Sequence, residues 1–236
     1  MRRSVFRWTH TPRMKRLLCF ALIVFAGRLS AAAADSLPVA PPPGSTVLWN
    51  GHDLTGWHIF LQDPSLDPKT VWSADGGVLR ILGKPRGGIR SEKVYANYRL
   101  HVEWRWPAEP GNSGIFVHIN GPDVPRHGAD ALWPQCVECQ LKVGEAGDLI
   151  GQAGFDFPAP VVRGHKWATK TAPASEKPAG EWNSCDITCH GDSVEAVVNG
   201  VHQNRADKIS ATSGNVGLQL EGAPIEFRNV WILPEK

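Results

Sequence analysis

The sequence predicts an all-β fold, a two-sheet sandwich of jelly-roll type, on three observations. From Val47 onward, short runs of alternating apolar and polar residues recur, separated by Gly, Pro, Asn and Asp. No stretch has the length and 3.6-residue periodicity of a long amphipathic helix, so no helical layer is available to cover a sheet. Nine of the ten tryptophans follow residue 34. Many short strands carrying that much bulky apolar surface can bury it by packing two sheets face to face.

Residues 1–34 read as an export signal. Arg2, Arg3, Arg7, Arg13, Lys15 and Arg16 form a cationic start, Leu17 to Gly27 an apolar run, and Ala31 to Ala34 a small-residue cleavage region. The apolar run, at about eleven residues, is shorter than the roughly 20 a membrane-spanning helix needs. The mature chain is therefore expected to start near Asp35, to lack a membrane span after cleavage, and to be periplasmic or secreted. A stiff Pro-rich linker, 35–46, contains Pro41-Pro42-Pro43-Gly44, and one β-sandwich domain fills 47–236.

Within that domain the alternation predicts strands at Val78–Ile81, Tyr98–Trp106, Gly114–Ile119, Gln135–Leu141, Trp182–His190, Ser193–Val198, Gly214–Leu220 and Ile225–Leu233. Asn199-Gly200 between Val198 and Val201 predicts a tight hairpin turn. Pro158 to Gly180, rich in proline and lysine, reads as a variable loop that either shapes specificity or is plain surface. Strand periodicity assigns faces. Leu100, Val102 and Trp104 point to the core, with Arg99, His101, Glu103 and Arg105 opposite. Ile115, Val117 and Ile119 point inward, which turns Phe116 and His118 outward. Val137, Cys139 and Leu141 point inward, with Cys136, Glu138 and Gln140 outward. Leu218 and Leu220 face the core, leaving Gln219 and Glu221 outside.

Charge and cysteine content narrow the partners. Residues 1–34 hold seven of the 25 Lys and Arg and none of the 23 Asp and Glu, so the remainder carries 18 basic against 23 acidic residues. Those basic residues are scattered singly among acids, which sets nucleic acid aside as a partner. Cys136 and Cys139, three apart on a strand, point to opposite faces and can neither bridge nor chelate one ion together. Cys185 and Cys189 share a face but lie about 13 Å apart along a strand. A cross-strand disulfide from Cys139 to Cys185 or Cys189 and buried free thiols both remain open, and a zinc site is the weaker alternative.

Several segments together resemble one family. Leu48-Trp49-Asn50-Gly51-His52-Asp53-Leu54-Thr55-Gly56-Trp57 is similar to the opening of the 3-keto-disaccharide hydrolase domain, formerly a domain of unknown function. Glu103-Trp104-Arg105, Asn112-Ser113-Gly114-Ile115, Trp133-Pro134 leading into Glu138-Cys139-Gln140, Val198-Asn199-Gly200, Gly217-Leu218-Gln219 and Phe227-Arg228-Asn229-Val230 follow in order. The resemblance covers nearly the whole mature chain. It implies a concanavalin A-like jelly roll, similar to laminarinases, whose concave sheet holds a sugar.

A retaining glycosidase of this fold needs two carboxylates about 5–5.5 Å apart. The outward face of Gln135–Leu141 carries only Glu138, although Glu103, Glu221 or Glu226 could bring a second from a neighbouring strand. A 3-keto sugar requires less, because the ketone acidifies the hydrogen on the adjacent carbon and one base suffices to expel the anomeric substituent. Glu138 is the candidate acid/base, and His118 a candidate to protonate the leaving oxygen or to bind a metal. Asn112, Gln140 and Gln219 suit hydroxyl recognition, Arg90 or Arg105 developing negative charge, and Trp133 a stacked sugar ring. His127 lies in a Pro/Gly-rich loop able to overhang the site. A divalent metal ion is a candidate cofactor with no diagnostic ligand spacing. The expected ligand is a glycoside or 3-keto-glycoside, with oligomeric state open. The competing readings are a non-catalytic carbohydrate-binding module and a cell-envelope structural protein.

Overall fold

The structure, a computed structural model, describes residues 36–123 and 133–235. The expected export signal and His127 lie outside the described residues. In chain order the strands are β1 (Thr46–Val47), β2 (Trp57–Leu61), β3 (Trp72–Asp75), β4 (Val78–Ile81), β5 (Gly87–Ser91), β6 (Tyr98–Arg105), β7 (Gly114–Ile119), β8 (Cys136–Gln140), β9 (Leu149–Gln152), β10 (Val161–Val162), β11 (His165–Ala168), β12 (Asn183–His190), β13 (Ser193–Val198), β14 (Val201–Asp207), β15 (Asn215–Leu220) and β16 (Ile225–Pro234). Among the described residues the only helical element is a 3₁₀ turn at Pro68–Thr70, and no helix is long and apolar enough to cross a membrane.

The strands form two eight-stranded sheets. One, called here the back sheet, runs β14-β13-β12-β6-β16-β4-β3 with β1 on β16; the front sheet runs β10-β11-β9-β8-β7-β15-β5-β2. The all-β two-sheet sandwich expected from the alternation is thus the fold observed. Between the sheets lies one core in which Leu100, Val102 and Trp104 of β6 meet Ile115, Val137, Cys139 and Leu218 of the front sheet. Fully burying one large apolar side chain contributes roughly 1.5–3 kcal/mol, so the in-out alternation is what fixes the register of each strand.

On β7 the alternation fails at its last two residues. Ile119 pairs with Asn215 and Phe116 with Gly217 of β15, so Val117 and His118 together oppose Val216 alone. That is a β-bulge, with His118 left-handed at φ 53°. The extra residue rotates His118 inward, where its ring lies 5.9 Å from that of Tyr98 on β6. Ile119 is turned outward and packs with Phe60, Phe116 and Cys136 on the outer face of the front sheet. The expectation of Ile119 inside and His118 outside is therefore reversed. Gly214 makes the close approach of the chains feasible, since a Cβ there would lie 2.4 Å from the His118 carbonyl carbon.

The Pro-rich segment before β1 is bonded to the back sheet. Val39 N–H donates to Glu103 Oε1 at 2.7 Å, Asn229 Nδ2 donates to the Val39 carbonyl at 2.7 Å, and Arg228 donates to the Ser36 carbonyl at 2.6 Å. Cys139 of β8 and Cys185 of β12 face one another across the core, their sulfurs 3.8 Å apart. All four cysteines among the described residues are buried free thiols. No three His, Cys, Asp or Glu side chains gather to hold a metal ion among the described residues.

Candidate active site

The outer face of the front sheet carries a cavity of about 280 Å³, lined by Glu138 and Gln140 of β8, Ile150 and Gln152 of β9, and Asn112, Trp133 and Glu221 from the flanking connections. The strand period explains the grouping. Glu138 and Gln140 are two apart on β8, and Ile150 of β9 pairs with Glu138. On the other side Phe116 pairs with Glu138 and Gly114 with Gln140.

Glu138 is fully buried and its carboxyl leans over Gly114. A Cβ at residue 114 would lie 2.5 Å from Glu138 Oε1 and 2.8 Å from its Cγ, so only glycine leaves room for the carboxyl. Gln152 Nε2 donates to Glu138 Oε2 at 2.5 Å. Burial, helped by the charge of Glu221, raises the Glu138 carboxyl to about 8 against the opposing amides of Gln152 and Gln219. A carboxylate with that affinity for protons is a much stronger base than an exposed one, and near neutrality both its forms are populated.

Glu221 is the second carboxylate of the cavity. Of the three candidates for that place, Glu103 and Glu226 belong to the back sheet. Glu103 is bound by Arg228 at 2.6 Å and Glu226 by Arg105 and Arg80. Burial alone would raise the Glu103 carboxyl, but hydrogen bonds from His101, Val39, Asn229 and Arg228 outweigh it and hold the group at about 2. Glu221 itself is engaged by Arg86 at 3.2 Å and by Asn112 Nδ2 at 2.8 Å. Its carboxyl is raised by burial, with Arg86 opposing. Glu138 thus remains the carboxyl of the cavity without a cationic partner.

The amides complete the polar floor. Gln140 Oε1 accepts from the N–H groups of Leu141 and Lys142, both at 3.0 Å, which leaves its NH₂ for a ligand. Asn112 donates to Glu221 while its own Oδ1 is buried without a partner, an acceptor suited to a sugar hydroxyl. The Trp133 ring packs 5.8 Å from Phe116 at the cavity wall. Gln219 is buried on β15 opposite Gly88, and its amide opposes the rise of the Glu138 carboxyl.

Three sequence candidates stand elsewhere. His118 lies between the sheets because of the bulge; both ring nitrogens are buried without partners, and burial lowers its pKa to about 4, so the ring is neutral. Arg90 is held by Asp123 at 2.7 Å and by Asn215 at 3.0 Å, in a group with His58 near the β2 edge. Arg105 is on the outer face of the back sheet, bound to Glu226 at 2.5 Å with its guanidinium 4.6 Å from the Trp182 ring. Alternation alone put Arg105 off the core, but which sheet carries it depends on strand order. Conversely, the cavity includes residues the sequence reading missed: Gln152, Lys142 and Glu145, and Arg163, His165 and Trp167 of the β10–β11 hairpin. The hairpin falls in Pro158 to Gly180, whose one local signal was the glycine at 164.

A family model described as a 3-keto-alpha-glucoside-1,2-lyase-like domain matches residues 44–233. Among solved structures the chain is similar to a candidate glycosyl hydrolase from Parabacteroides distasonis, with 24% identity and a TM-score of 0.57 over 82% of this chain and 94% of that one. It is also similar to LamAcat from Zobellia galactanivorans, with 11% identity and a TM-score of 0.53 over 86% and 99% of the two chains. A third likeness is to the carbohydrate binding module CBM66 from Bacillus subtilis, with 12% identity and a TM-score of 0.52 over 77% and 95%. At these identities the likeness is one of fold. No curated protein matches the chain.

Proposed function

Because the chain belongs to the 3-keto-alpha-glucoside-1,2-lyase-like domain family, we propose that this carbohydrate-active protein cleaves 3-keto-glycosides, with Glu138 as the general acid/base. The observation that carries the reading is the buried Glu138 carboxyl, raised to about 8 at the floor of a cavity lined by amides. In the proposed reaction the ketone at C3 acidifies the C2 hydrogen. Glu138 takes that proton, the freed electron pair forms the C1–C2 double bond, and the bond from C1 to the aglycone oxygen breaks. The expelled oxygen gains a proton and Glu138 gives its proton up, to that oxygen or to solvent, so no net proton is consumed. Adding water across the double bond would then yield the 3-keto sugar, which makes the overall change a hydrolysis.

Negative charge passes onto the C3 oxygen during proton abstraction and must be held there. The NH₂ of Gln140, left free by the contacts of its Oε1, would hold that charge, with Lys142 in the same cavity lining. Asn112 Oδ1 would accept from a sugar hydroxyl, and Trp133 supplies an apolar face for the ring. The leader-like residues 1–34 support action in the periplasm or outside the cell.

The pH dependence of kcat/KM tests the role of Glu138, since it reports the groups of the free enzyme. As a base Glu138 works when deprotonated, so kcat/KM is expected to rise with pH and level off above about 8. A rate independent of pH between 5 and 9 would remove Glu138 from proton abstraction.

A further inference from the structure

The outer wall of the cavity is formed by a segment that the reaction above leaves unused. Arg163 and Gly164 alone join β10 to β11, with Val162 paired to His165. Both turn residues are left-handed, at φ 51° and 86°, the form of a two-residue type I′ hairpin. The same form occurs at Asn199-Gly200, at φ 50° and 78°, with the residue pair that this turn prefers. Arginine at the first position is disfavoured, because a side chain with a Cβ crowds the backbone in the left-handed region.

The cost is matched by a position in the cavity, where Arg163 stands with His165, Lys142 and Trp167. The charges there can be paired off. Glu221 is answered by Arg86 at 3.2 Å and Glu145 by Lys142, while Glu138 is largely protonated at neutral pH. Neither the Arg163 nor the His165 side chain has a hydrogen-bond or ion-pair partner among the described residues, so the guanidinium of the exposed Arg163 is the cavity's unpaired charge. Trp167, its indole N–H held by Asp148 at 2.8 Å, gives this end a fixed aromatic wall. From β8, β11 is two strands away and β10 three, roughly 10–14 Å at about 4.8 Å per strand. That is beyond one sugar ring seated at Glu138 and within reach of the group attached to it.

We propose that the Arg163 end of the cavity is a subsite for a carboxylate borne by the leaving group of the substrate. A guanidinium fork matches a carboxylate's two oxygens. The proposal rests on the 3-keto-glycoside reading for the word leaving group, but the recognition itself does not depend on turnover. Such a carboxylate can come from an aromatic acid or from a uronic acid. The test measures kcat/KM for two matched pairs of 3-keto-glucosides, one with a 4-carboxyphenyl or 4-carboxamidophenyl aglycone, the other with a glucuronic acid or glucose aglycone. It compares the native protein with Arg163→Asn, which keeps a residue favoured in this turn.

The native protein is expected to prefer the carboxylate member of one pair by about tenfold, an energy on the scale of one charge-assisted hydrogen bond. The pair concerned identifies the source. In Arg163→Asn that ratio should fall to about one. A ratio near one for both pairs in the native protein, or a ratio unchanged in Arg163→Asn, overturns the subsite. If no 3-keto-glucoside is cleaved, the reaction reading fails separately. Calorimetric binding of the unoxidised carboxylate and amide glucosides then reads the same ratio, and equal affinities overturn the subsite.

Discussion

Glu138→Gln is expected to lower kcat on a 3-keto-glucoside by about 10³-fold, within the range for losing a positioned acid or base, while raising thermal stability at neutral and alkaline pH. Both effects have one cause. Burial raises the Glu138 carboxyl in the folded protein to about 8 from an ordinary carboxylate value of 4.5. Between these values the folded chain binds a proton that the unfolded chain does not, so stability falls as pH rises across that window and is flat above it. At about 1.4 kcal/mol for each tenfold change in proton affinity, the site costs on the order of a few kcal/mol at pH 8. The amide that replaces the carboxyl would carry no charge and could still meet Gln152. Thermal melts from pH 5 to 9 should therefore show the variant gaining over the native protein as pH rises. A variant that keeps its rate, or melts lower at pH 8, contradicts the account.

Gly114→Ala tests the same carboxyl without changing its chemistry. A Cβ at 114 lies 2.5 Å from Glu138 Oε1 and 2.9 Å from Cδ, well inside contact distance, so the carboxyl must swing off the strand and leave Gln152. Displacing a catalytic group by about 1 Å can reduce the rate on the order of 10²-fold, and a fall in kcat of that size is expected. The fold should survive, because Glu138 can relax into the cavity and alanine is otherwise tolerated in a strand. The ascending limb of the pH profile should also move below 8 as the carboxyl becomes better solvated. Unchanged kcat with an unchanged profile would show that Glu138 does not need its place over Gly114.

The longest alternating runs were legible to within a residue. Tyr98–Trp106 became β6 at Tyr98–Arg105, and Gly114–Ile119 became β7 as it stood, because the apolar residues at every second position, Leu100, Val102 and Trp104 on one and Ile115 and Val117 on the other, pack into the core between the sheets. The Asn199-Gly200 turn was legible for a similar local reason: both residues are left-handed. Strands too short or too rich in glycine to show a period were missed, among them Gly87–Ser91, Leu149–Gln152 and His165–Ala168. Two of these carry residues of the cavity. Strand period set Glu138 and Gln140 on one face and the family motif added Asn112 and Trp133, and the structure brings these four residues to one cavity. His118 was misplaced because a bulge is a mismatch between two strands, and neither strand alone records it. Arg90 and Arg105 failed on strand order, a long-range property that spacing does not encode.

Product analysis of the native protein with a 3-keto-glucoside and its unoxidised parent is the most direct test of the central claim. The account predicts aglycone release from the 3-keto-glucoside alone, accompanied by a 1,2-unsaturated keto sugar or its hydrated product. Binding of either glucoside without release of aglycone would contradict it, and would make the cavity the site of a carbohydrate-binding module.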